Sequence, residues 1–277
     1  VLAPGPHYPP YVAYPQMYGG KTVEYRLNST DGWKIDLEDI KKKMNDKVRL
    51  LVLINPNNPT GNVATKEEID SLIEIADEWP YCTIIADEIY DGLDFSGKLC
   101  SVASRSEKTP VIVLNGVSKV YFAPGWRVGY MALHDPCKKL ELVRDGMEKL
   151  LRSRLCASTP AQYGFLAGLT GDSKWLESHR RIVKERLDYC IRRISEIDGL
   201  ECEAPGAAFY LFVKITKPQL SLDDKQFVLD LLHEKHVLVV HGSGFSSEFG
   251  QGHFRMVCLP PIEILCEAFD RISDFLM

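Results

Sequence analysis

The sequence predicts an α/β fold: a large domain on a mainly parallel central sheet, followed by a smaller α+β C-terminal domain. Three observations carry this. Short apolar runs at Val48–Ile54, Cys82–Ala86 and Val111–Leu114 have the composition of strands buried on both faces. Between the first two, Ile69, Leu72, Ile73 and Ala76 recur at helical spacing. A long stretch rich in both charge signs, Ser173–Ile197, then reads as a linking helix, after which the pattern changes. The expected division is a large domain over 1–172, and a linking helix with a small domain over 173–277.

Taken in order, Val1–Pro4 reads as the end of a strand, and the proline-rich Pro4–Pro10 as a rigid turn. Tyr18-Gly-Gly ends a short helix, Lys21–Leu27 is a strand, and Asp36 caps a helix running to about Met44. After the Val48–Ile54 strand, two Asn-Pro units force a turn, because a residue before proline is driven out of the helical region. Thr65 and Glu68 form a capping box, and Pro80 ends the helix they open. The Val111–Leu114 strand breaks at Asn115-Gly116. Arg127–Leu133 is a further strand, and Asp135-Pro136 starts a helix that continues towards Cys156. Pro160 begins a shorter helix ending near Gly168–Gly171. Beyond the linking helix and its stop at Gly199 come strands at Ala208–Ile215, Val237–Val240 and Phe254–Cys258. Helices are expected at Asp223–Lys235 and Pro261–Met277.

A formal charge of −5, with no basic stripe interleaved with aromatics, argues against a nucleic-acid partner. No apolar run is long enough to span a membrane, and no signal peptide is visible. The eight cysteines form no CxxC pair and read as reduced, mostly buried thiols of a cytoplasmic protein. His233 and His236 lack a nearby third ligand, so they read as a helix end and no metal is expected. The loop His241–Phe245 is not a dinucleotide fingerprint.

The chemistry gathers at strand ends. Asn55, Asp87 and the Ser118-Lys119 pair follow the three apolar runs, so a parallel sheet would bring them to one edge. Lys119 offers an amine that can form a Schiff base, and Arg127, after a Pro-Gly turn, a cation that can hold a phosphate. Asp87 follows an apolar run, which leaves its carboxylate poorly solvated and in need of a cationic partner.

The succession NPNNPTG (55–61), ADEIY (86–90), SK (118–119), GWRVGY (125–130) and HFR (253–255) resembles the class I/II aminotransferases, pyridoxal phosphate (PLP) enzymes of fold type I. The resemblance runs nearly end to end, and its wording is nearest to alanine aminotransferase-like proteins. It implies Lys119 as the Schiff-base lysine and carrier of the substrate's Cα proton. It also implies Asp87 at the pyridine nitrogen, with Tyr90 and Asn55 donating to the phenolic oxygen. Arg127 would hold the phosphate, Tyr8 would stack on the ring, and Arg255 would clamp the substrate carboxylate, with Asn55 beside it. Many members carry a phosphate-binding serine three residues before the lysine, where this chain has Gly116; the role of Ser118 is less defined. The family's chains extend further at the N-terminal end, where a loop cradles the phosphate. The expectation is therefore a chain whose first part is absent from this sequence. The implied activity is transfer between a small L-amino acid, alanine fitting best, and a 2-oxo acid (2-oxoglutarate or pyruvate), in a homodimer. A β-lyase or other amino-acid enzyme on the same scaffold, or a non-catalytic fragment, is the alternative.

Overall fold

The computed structural model describes all 277 residues. The chain runs β1 (Leu2–Gly5), α1 (Pro10–Met17), β2 (Val23–Asn28), β3 (Lys34–Ile35), α2 (Leu37–Lys43), β4 (Leu50–Ile54), α3 (Lys66–Asp77), β5 (Thr83–Asp87), β6 (Val111–Gly116) and β7 (Gly129–His134). These seven strands form one sheet in the order β3-β2-β1-β4-β5-β6-β7. Strands β2, β1, β4, β5 and β6 run parallel, while β3 and β7 are antiparallel edges. Chain order reverses between β1 and β4, which leaves a crevice beyond their carboxyl ends.

The helices α4 (Glu141–Arg154), α5 (Thr159–Thr170) and α6 (Lys174–Ser195) follow. Then come β8 (Leu200–Glu201), β9 (Tyr210–Ile215), α7 (Pro218–Ser221), α8 (Asp224–Lys235), β10 (Val240–His241), β11 (His253–Val257) and α9 (Ile262–Leu276). The last four strands form an antiparallel sheet in the order β10-β11-β9-β8. One apolar core packs α6, α8 and α9 against this second sheet and takes in Tyr90 and Leu93. The other lies around β4, β5 and α3 and takes in Phe212 and Phe245. Each core therefore reaches into the other's half of the chain. No helix is long and apolar enough to cross a membrane.

Local chemistry explains the helix starts. The Asp36 side chain accepts from the Asp39 amide, and Thr65 with Glu68 forms the expected capping box. His236 closes α8 in the left-handed region. Elsewhere the structure departs from the sequence reading. Asn115-Gly116 does not break the strand: β6 runs on, pairing them with Tyr130 and Gly129. A Cβ on Gly116 would sit 2.8 Å from the Val128 carbonyl, so only glycine permits this close pairing. Helix α4 starts at Glu141 and not at Asp135. The Asp135 carboxylate instead accepts from the Lys139 and Leu140 amides, around a turn with Lys138 at positive φ. The strand expected at Val237–Val240 shrinks to β10, since only Val240 and His241 find partners on β11. Only three cysteines, Cys82, Cys190 and Cys258, are buried; Cys137 and Cys156 are exposed because they flank α4, which buries no residue.

Candidate active site

The parallel register sets the site. Ile54 pairs with Asp87 and Asp87 with Leu114, so β4, β5 and β6 end level with one another. Asn55 follows β4 and is buried. Its Oδ1 accepts from the Ala64 amide at 3.0 Å, while its buried Nδ2 has no partner. Asp87 ends β5. Its Oδ2 accepts a 2.6 Å hydrogen bond from the Tyr11 hydroxyl and its Oδ1 a 3.3 Å bond from the Ile89 amide. Burial raises the Asp87 pKa above the usual carboxylate range; those two bonds and the Lys119 charge pull it part of the way back.

Tyr90 lies three residues on, its ring fully buried and its hydroxyl 3.0 Å from that of Tyr210. Past β6, Asn115 donates to Asp91 at 2.8 Å, and Lys119 brings its Nζ to 5.9 Å from the centre of the Tyr90 ring. Arg127 follows a single helical turn at Pro124–Trp126; it takes a left-handed backbone and donates to the Pro124 carbonyl.

Arg255 comes from β11. Its guanidinium lies near two rings, 4.4 Å from the centre of Tyr210 and 4.7 Å from that of Phe245. It donates to Asn58 Oδ1 at 2.8 Å, and its buried Nε has no partner. Burial lowers its pKa, and its side-chain partner is the neutral Asn58, not a carboxylate. An inter-strand salt bridge is thus excluded as its role.

These groups wall one cavity of about 380 Å³, with Tyr8, Asn58, Asp87, Tyr90, Lys119, Arg127, Tyr210 and Arg255 among its lining. Asn55 adjoins it beside Ile54, which lines it. A larger cleft of about 650 Å³ runs between Val237–Val240 and α9, but its walls are mainly aliphatic and hold neither Lys119 nor Asp87. The smaller cavity joins an amine, a buried carboxylate and an unneutralised guanidinium. That set suits a ligand that carries both an anionic group and a cationic or protonated group.

The sequence profile of the aminotransferase class I and II family matches residues 1–272. The chain belongs to that family. It is 36% identical to the glutamate-pyruvate aminotransferase AlaA of Haemophilus influenzae, over 100% of this chain and 69% of that protein. It is 33% identical to the alanine aminotransferase of Mycobacterium tuberculosis, over 100% of this chain and 65% of that one. The solved alanine aminotransferase from Pyrococcus furiosus superposes with a TM-score of 0.96 at 49% identity, covering 99% of this chain and 69% of that structure.

In this class I and II aminotransferase, six of the seven residues singled out from sequence, Tyr8, Asp87, Tyr90, Lys119, Arg127 and Arg255, line a single cavity, and Asn55 abuts it. Sequence reasoning missed Tyr11 as the partner of Asp87, although Tyr8 and Tyr11 stand one helical turn apart at the start of α1. It also missed Asn58, the third Asn of the NPNN turn, and Tyr210, for which the sequence carries no local signal.

Proposed function

We propose that the chain is a PLP-dependent aminotransferase that exchanges an amino group between L-alanine and a 2-oxo acid, 2-oxoglutarate in the best-fitting pair, by ping-pong half-reactions. The observation that carries this is the meeting of Lys119, Asp87 and Arg255, from three separate segments, on one cavity of about 380 Å³. The names of the similar proteins, alanine and glutamate-pyruvate aminotransferases, support alanine.

The residues present fit the cofactor. The orphan Nδ2 of Asn55 and the Tyr90 hydroxyl are donors suited to a phenolic oxygen. The Asp87 carboxylate, raised in pKa by burial, would regain its ordinary ionisation against a protonated pyridine nitrogen. When bound, PLP supplies an electron sink that stabilises negative charge at the substrate's Cα. Lys119 would hold the cofactor's aldehyde carbon and, once displaced, carry the Cα proton. Arg127, the one arginine besides Arg255 on the cavity wall, would take the phosphate, with Ser118 beside it. Tyr8 would cover the ring face. Arg255, packed near two aromatic rings with its Nε unpaired, would take the substrate carboxylate, with Asn55 beside that group.

In this reading residues 1–172 form the cofactor-binding domain and 173–277 the linking helix and small domain, one sheet on each side of that division. A homodimer is the expected assembly; the exposed Leu142, Leu150 and Leu155 of the α4 region support a face covered by protein. Eight free thiols suit the reducing cytoplasm.

The test is the visible absorption spectrum of the purified chain with PLP, before and after L-alanine. A bound-cofactor band that alanine bleaches and 2-oxoglutarate restores supports the assignment. A band that ignores alanine and answers another amino acid moves the substrate. Ammonia released without a 2-oxo acid replaces transfer by elimination.

A further inference from the structure

We propose that Tyr210 is a positioning residue that ties the carboxylate-binding arginine to the proton donor on the cofactor: its hydroxyl orients Tyr90, and its ring face carries Arg255. This rests on the PLP reading above.

The strand register makes the arrangement. Tyr210 opens β9 opposite Val257 of β11, and Arg255 stands opposite Phe212. Tyr210 and Arg255 are therefore diagonal neighbours on one face of the antiparallel pair, within reach of long side chains. The guanidinium lies 4.4 Å from the Tyr210 ring centre and 4.7 Å from that of Phe245. Asn58 occupies one donor, and the buried Nε has no partner in the chain.

The hydroxyl has a separate task. Tyr210 and Tyr90 meet edge to face, with ring centres 5.7 Å apart and their oxygens 3.0 Å apart. Two phenols sharing one hydrogen bond leave one proton over. If Tyr90 donates to Tyr210, that free proton belongs to Tyr210 and Tyr90 has none for a ligand. If Tyr210 donates, the Tyr90 proton is free, and accepting a bond polarises the Tyr90 O–H into a stronger donor. An anionic oxygen beside Tyr90 selects the second arrangement. Packing alone does not call for this hydroxyl. Phe209 and Phe212 flank it on the same segment, and a phenylalanine would carry the guanidinium equally well without burying a polar atom. The hydroxyl is accounted for by Tyr90.

A consequence follows for the bound cofactor. A stronger Tyr90 donor stabilises the deprotonated chromophore, so losing the Tyr210 hydroxyl makes the chromophore hold its proton to higher pH.

The experiment titrates the visible absorption of the PLP-reconstituted chain against pH in wild type, Tyr210→Phe, Tyr90→Phe and the double variant. Tyr210→Phe is expected to raise the midpoint by about 0.5–1 pH unit, a 3- to 10-fold change in proton affinity. In the Tyr90→Phe background the same substitution is expected to move nothing further, because neighbours acting through one another are not additive. Amino-acid affinity is expected to fall several-fold further in Tyr210→Leu, which loses the ring, than in Tyr210→Phe, which keeps it. Replacing Tyr210 by 3-fluorotyrosine, a stronger donor of nearly the same shape, is expected to lower the midpoint and serves if the phenylalanine variant does not fold. An unmoved midpoint, or an equal shift with and without Tyr90, overturns the proposal while leaving the PLP reading intact. A wild-type chain that forms no cofactor band overturns both.

Discussion

The Tyr11 hydroxyl donates a 2.6 Å hydrogen bond to Oδ2 of Asp87, joining α1 to the end of β5. A bond of this kind favours the charged carboxylate, against the burial that opposes it. The expected effect of Tyr11→Phe is a further rise in the Asp87 pKa. PLP affinity should fall by about 1.5–3 kcal/mol, the range for hydrogen bonds to charged groups. The sign in pH is fixed: binding needs the carboxylate ionised, so the acid limb of cofactor binding moves to higher pH in the variant. PLP titrations at several pH values check this; an unshifted limb would mean that Asp87 does not depend on Tyr11.

Lys119 is the only lysine on the cavity wall. Borohydride reduction of the PLP-loaded chain, followed by peptide mass spectrometry, should find the cofactor's mass on the peptide containing Lys119 and nowhere else. Lys119→Ala should lose that adduct and slow transfer by at least about 10²–10⁴-fold, the usual worth of a positioned proton carrier. A retained adduct on another lysine would displace Lys119 from its role.

The strand-end residues were legible because their signal is local. An apolar run that stops at a polar cluster gives both the buried strand and its chemistry, and parallel pairing does the rest, as at Asn55, Asp87 and Lys119. Tyr210 was not legible. Its contact with Tyr90 spans 120 residues and depends on how the second sheet packs over the first. The Asp135 cap misled for a physical reason: an aspartate satisfies the amides of a turn as readily as those of a helix, and Lys138 turns the backbone left-handed before α4 begins. Asn115-Gly116 misled because glycine serves close strand pairing as well as turns.

Arg255→Lys should separate substrate from cofactor. The ammonium keeps the charge but loses the planar fork packed near two rings. KM for the amino acid is expected to rise about 10- to 100-fold, as for the loss of a charge-assisted pair, with PLP affinity unchanged. Equal losses of substrate and cofactor binding would place Arg255 at the cofactor instead.

Asn55 carries two separable tasks on one amide. Its Oδ1 serves the buried Ala64 amide, and its Nδ2 is a buried donor without a partner, one residue past cavity-lining Ile54. Asn55→Ala should cost about 1–3 kcal/mol of stability, because an amide hydrogen is left buried without an acceptor. Asn55→Asp keeps an acceptor and removes the donor but buries an unpaired carboxylate, so it too should lose stability in a urea melt, and it should bind PLP as weakly as the alanine variant. If both variants bind PLP normally, the orphan donor has another purpose.

Glu24 predicts an acid-sensitive seam between the two sheets. It accepts from His7, in the loop after β1, at 3.1 Å, and from Ser246, in the loop after β10. Burial works to raise its pKa, but the His7 and Ser246 hydrogen bonds and the nearby His7 and Lys43 charges outweigh that and leave it below the ordinary value of 4.5. A carboxylate depressed in the folded state adds stability above its unfolded pKa and loses it as pH falls through the folded value. Glu24→Gln should therefore lower stability at pH 7 by about 1 kcal/mol, below the full range for a hydrogen bond to a charged group because the side chain is partly exposed. The gap to wild type should close progressively below pH 4.5, where wild-type Glu24 itself takes up a proton. Urea unfolding of both proteins at pH 7, 5 and 3.5 measures that gap. A gap that persists undiminished at pH 3.5 would show that the shape of the side chain, and not its charge, holds the seam.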